Sequence, residues 1–94
     1  MKRIEIIISR ALDEEFIELL ETHDINQFTA INPVTGKGCS LPKMGDDVWP
    51  QTNKLYIFYV EEKQKELLSI IVNKLREEFP DEGISAFVVE ANEL

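Results

Sequence analysis

The side chains of this sequence that could do chemistry are concentrated in one stretch, NPVTGKGCSLPKMGDDVWPQTN, from Asn32 to Asn53. Within it, Thr35, Gly36, Lys37 and Gly38 form a word suited to holding an anion. Glycines on either side of a lysine let backbone amides approach a negative group closely and set a positive charge beside it. The same glycines would equally serve a flexible hinge. The word is not a Walker A loop, because Ile31 stands where the leading glycine would be and Gly38 follows Lys37 where Ser or Thr is required.

Cys39 follows directly and is the sole cysteine, so it has no internal disulfide partner. Its thiol is a soft metal ligand. Asp46 and Asp47 are hard-cation ligands, but two adjacent carboxylates supply too few oxygens for a closed shell unless a ligand or a second subunit completes it. His23, the sole histidine, falls near a helix C-terminus, where imidazole more often compensates the dipole than binds metal. Nothing in the sequence brings Cys39 and His23 together as nucleophile and base, and CxxC, HExxH and GxSxG are all missing. The expectation is a protein that is not an enzyme.

The elements that must position these residues are legible around the stretch. KRIEIIIS (Lys2 to Ser9) alternates Ile4, Ile6 and Ile8 against Glu5, Ile7 and Ser9, a strand pattern. ALDEEFIELLETHDI sets Phe16, Ile17, Leu19 and Leu20 at helical spacing, with Asp13 as the expected N-cap. NQFTAIN reads as a short second strand, bounded by Pro33, which cannot donate to a central ladder. After the insert, KLYIFYVEE is a strand, EKQKELLSIIVNKLREEF a long amphipathic helix, PDEG a turn and ISAFVVE a last strand. The order βαββαβ predicts an α+β fold, a ferredoxin-like sandwich with a four-stranded antiparallel sheet covered on one face by both helices. LYIFYV and AFVV are apolar on both faces, so subunit association is expected to cover the second face.

The 94 residues make a single domain, 1–94, with the long loop at 36–53 lying inside it. Eighteen acidic residues against ten basic ones give a formal charge of −8, which excludes nucleic acid and anionic lipid surfaces as partners. No apolar run approaches the roughly 20 residues of a membrane span, and the N-terminal stretch runs directly into charged residues. The expectation is a cytoplasmic protein with no direct membrane insertion.

Taken together, KRIEIIIS, a helix opening on LDE, a second strand running into GKG, an extended loop, a third strand, a long helix and EGISAFVV resemble the PII family of signalling proteins. CutA-type proteins share that fold. The resemblance implies a homotrimer whose sheets face the threefold axis. It also implies an adenine nucleotide bound between subunits, at the base of the long T-loop and at a second loop before the last strand. By position, Thr35, Gly36, Lys37 and Gly38 match the T-loop base, Gly83 matches the end of the second loop, and the insert matches the T-loop. PDEG is shorter than its counterpart in nucleotide-binding members and lacks its basic residue, and the insert contains no tyrosine for uridylylation. The resulting expectation is a non-catalytic regulator that senses a small ligand, an adenine nucleotide foremost, and acts on a target protein, a membrane transporter or an enzyme. Leu41, Met44, Val48 and Trp49 are the expected partner contacts. The alternative is a metal-responsive PII- or CutA-like protein linked to heavy-metal efflux or tolerance, with a divalent metal at Cys39, Asp46, Asp47 and His23.

Overall fold

The computed structural model describes all residues from Met1 to Leu94. The elements follow in the order β1 (Lys2–Ser9), a 3-10 turn (Arg10–Leu12), α1 (Asp13–Thr22), β2 (Thr29–Val34), β3 (Asn53–Val60), α2 (Glu62–Glu78) and β4 (Ile84–Glu90). The four strands form one antiparallel sheet in the order β2-β3-β1-β4. This is the ferredoxin-like arrangement that the βαββαβ order implies.

The isoleucines of β1 decide which face is covered. Ile4, Ile6 and Ile8 point to the helices and are buried, and their partners across β3 are Phe58, Tyr56 and Lys54. Phe16 and Leu20 of α1 and Leu68, Ile71, Val72 and Leu75 of α2 close over them. Phe16 and Tyr56 meet edge to face with ring centroids 4.8 Å apart, a geometry that adds about 0.5–1.5 kcal/mol to the area buried.

Two local expectations are corrected. Asp13 is not an N-cap but the first residue of α1, because the 3-10 turn delivers the chain already coiled and leaves no extended residue to cap from. Its carboxylate instead receives Lys54 Nζ at 3.0 Å and the Tyr56 hydroxyl, tying the start of α1 to β3. The second strand lies later than expected and runs through Pro33. The chain tolerates this because β2 is an edge strand whose register with β3 breaks between Ile31 and Val34.

The other face of the sheet has no helix over it. Three cross-strand rows lie there: Tyr59, Arg3 and Val89; Ile57, Glu5 and Phe87; Leu55, Ile7 and Ser85. Tyr59, Phe87 and Val89 are each more than half exposed, and Arg3 donates to Glu5 at 3.1 Å among them. Several exposed large apolar groups on one continuous face are the mark of an interaction surface.

Candidate functional site

The insert after β2 folds back on itself before it reaches β3. Gly36 and Lys43 exchange both backbone hydrogen bonds at 2.9 Å, an isolated antiparallel bridge that returns the chain across residues 37–42. Beyond it, Gly45 donates its amide to Gln51 at 3.1 Å, and Gly45 sits at φ 66°, a left-handed conformation that glycine adopts without strain. An added Cβ there would stand 3.0 Å from the Thr52 methyl carbon. Asp46 then organises the tip: its Oδ1 accepts the amides of Val48 at 3.0 Å and Trp49 at 2.7 Å.

This folding places the base of the insert against the turn that precedes β4. Ser9 donates its amide to the Gly83 carbonyl at 3.0 Å, which ties that turn to the end of β1. A Cβ on Gly83 would approach Ser40 Oγ to 3.2 Å, so the two loops meet at Gly83 and Ser40. Between them opens a groove of about 1300 Å³. Thr35, Gly36, Lys37, Gly38 and Gly83, which sequence reasoning could join only through a family resemblance, all line it. Gly38 has nothing within 4 Å of where a Cβ would stand, so its surroundings are open space.

The charges around the groove are mixed. Lys37 is exposed, whereas Lys43 is only 5% exposed and also lines the groove. Asp81 and Glu82 stand on the opposite wall, and Glu82 Oε2 is closed off from solvent without a hydrogen-bond partner. Sequence reasoning missed Lys43. Its burial follows from the bridge to Gly36, and an isolated bridge between two irregular segments leaves no periodic trace in the chain.

The remaining candidates are dispersed. Cys39 is exposed and lines the groove. Asp46 caps its own turn, and the Nδ1 of His23 is 2.8 Å from the Leu19 carbonyl at the end of α1. No group of three or more His, Cys, Asp or Glu side chains is placed to hold a metal ion, so the expected set of Cys39, Asp46, Asp47 and His23 does not converge. Leu41, Met44, Val48 and Trp49 are exposed, Leu41 and Val48 the most, and Leu41 also lines the groove.

Where α1 begins against β3, Tyr56, Asp13 and Lys54 form a hydrogen-bonded cluster. Burial, and then its hydrogen bond to Asp13, push the Tyr56 phenol up to about 12. Burial pulls the Lys54 ammonium down, but its hydrogen bonds to Tyr56 and Asp13 outweigh that and leave it raised. Lys54 also sits 4.7 Å from the centroid of the Tyr56 ring. The three groups are mutually satisfied, and none lines the groove; their arrangement holds α1 to the sheet.

Comparison with known proteins adds a family. The model for nitrogen regulatory protein P-II matches residues 1–93. CPII from Thiomonas intermedia K12, solved with ADP and bicarbonate, is similar at 24% identity and a TM-score of 0.69, over 94% of this chain and 82% of that one. The apo form of CPII is similar at 20% identity and a TM-score of 0.55, over 94% and 87%. A candidate PII-like signaling protein from Thermus thermophilus is similar at 25% identity and a TM-score of 0.59, over 94% and 83%. Among curated proteins, none matches.

Proposed function

The chain belongs to the nitrogen regulatory protein P-II family, a family of signalling regulators, and from that premise we propose that it senses a small anionic ligand in the groove and reports it through the insert. The observation that carries this reading is the meeting of Thr35–Gly38 and Gly83 in one groove. An adenine nucleotide is the ligand class the reading favours, since CPII, which shares the fold, was solved with ADP and AMP. No helix of the chain is long and apolar enough to cross a membrane. On this reading the target, a transporter or an enzyme, is engaged by the exposed Leu41, Met44, Val48 and Trp49.

The sheet face without helices supports assembly into a trimer, in which a neighbouring subunit would close the groove. Ile7 and Leu55 stand at that junction, since they belong to the apolar face and also line the groove. A site completed by a neighbour would couple ligand binding to the assembled state.

Calorimetry with ADP and AMP tests the reading. Lys37 is exposed, so its charge-assisted bond falls near the lower end of the usual range, and Lys37→Ala is expected to weaken binding by about 1.5 kcal/mol, close to tenfold. Wild-type protein that binds neither nucleotide at millimolar concentration would overturn the proposal.

A further inference from the structure

The lining of the groove carries an uneven distribution of charge. In a chain with eighteen acidic and ten basic residues, a lysine that is almost fully buried would be expected to sit on a carboxylate. Lys43 does not: it is 5% exposed, and its ammonium enters neither an ion pair nor a side-chain hydrogen bond. Its nitrogen is not among the fully enclosed atoms that lack a partner, so the stem is packed while the head keeps access to the groove. The backbone of Lys43 is fixed by the double hydrogen bond to Gly36, and the cation is thereby held at a set place at the base of the insert.

The opposite wall carries the reverse charge. Glu82 is partly enclosed, with one carboxylate oxygen out of solvent and unpartnered, and Asp81 stands beside it in the same lining. A charge held in a wall is screened less than one in free solvent. Lys37 and Lys43 line the groove together with Asp81 and Glu82, and these four formal charges balance.

Resting on the reading of the groove as the ligand site, we propose that Lys43 and Glu82 are its two poles. They select an anion of low charge that carries hydroxyl or amino donors, a nucleoside monophosphate, and disfavour a triphosphate. The anionic end lies against Lys43 and supplies the counter-charge its burial demands. Donor groups turn towards Glu82 through Oε1, the carboxylate oxygen that is not enclosed. Each further phosphoryl group adds negative charge to a lining in which this chain supplies no spare cation, and every subunit that joins the site carries the same charge of −8.

Titration calorimetry with AMP, ADP and ATP, on the wild type, Lys43→Met and Glu82→Gln, tests this. Met keeps the apolar stem and removes the charge, and Gln keeps the shape of Glu; thermal melting is followed alongside. Expected results are AMP at least tenfold tighter than ATP in the wild type, a loss of at least tenfold for AMP in Lys43→Met, and a narrowed AMP-to-ATP ratio in Glu82→Gln. Should Lys43→Met fail to fold, the Glu82→Gln ratio decides by itself. Nucleotides that bind wild type and Lys43→Met alike, or ATP bound more tightly than AMP, would overturn the two-pole assignment and leave the groove as the site. A wild type that binds none of the three overturns the site as well.

Discussion

Replacing Phe87 by Asp tests whether the open sheet face is where subunits meet. Phe87 sits in the row Ile57, Glu5, Phe87 and is 60% exposed in the single chain. For a side chain that buries about 200 Å² when fully covered, that fraction is roughly 120 Å². At about 25 cal/mol per Å², covering it contributes about 3 kcal/mol per subunit. An aspartate in the same place loses that contribution and adds the cost of an enclosed charge, several kcal/mol, close to the Glu5 already in its row. The sum exceeds about 5 kcal/mol, or more than three decades in each association constant. Phe87→Asp is therefore expected to run as a folded monomer in sedimentation velocity at micromolar concentration, with far-UV circular dichroism unchanged, while the wild type runs as a trimer. A wild type that sediments as a monomer under those conditions would refute the argument, and so would a Phe87→Asp protein that still assembles.

Two further expectations concern the fold and the insert. Tyr56 is raised from an ordinary value near 10 to about 12, so the fold favours the neutral phenol. Its contribution is fully present below pH 10 and is lost as the pH rises through 12; it amounts to about 2 kcal/mol, after discounting the solvent that reaches its partners Asp13 and Lys54. Denaturant melts between pH 9 and pH 12 should show this loss, and Tyr56→Phe should remove it; equal slopes in both proteins would contradict the assignment. Trp49 is 38% exposed and its amide is held by Asp46, so its emission should be that of a half-exposed indole and should shift when AMP fills the groove, because the Gly36–Lys43 bridge links the groove to the insert. An emission maximum that ignores saturating AMP would separate the insert from the site.

The sequence by itself determined the scaffold, because the period of apolar residues directly encodes which side of an element faces a core. Ile4, Ile6 and Ile8 alternate, and Leu68, Ile71, Val72 and Leu75 follow the helical turn, so both elements and their buried faces were readable. The apolar residues on both faces of the third and fourth strands announced the uncovered face for the same reason. The word TGKG at Thr35–Gly38 was visible by residue type as a candidate for holding an anion, and the structure places it in the lining of the groove. What only the tertiary structure decided has no period. Asp13 was expected as a cap from its neighbours in sequence, yet its partners, Lys54 and Tyr56, lie 41 and 43 residues further along the chain, in a strand. Pro33 is admitted to a strand because sheet order puts β2 at an edge. Lys43 read as one more loop lysine, since solvation is the default for a charge outside any pattern. It becomes a buried, unpaired cation only when a single bridge folds the insert back on Gly36 and the turn before β4 closes the opposite wall. Burial is a property of the whole packed chain, and for an irregular segment no local sequence signal carries it.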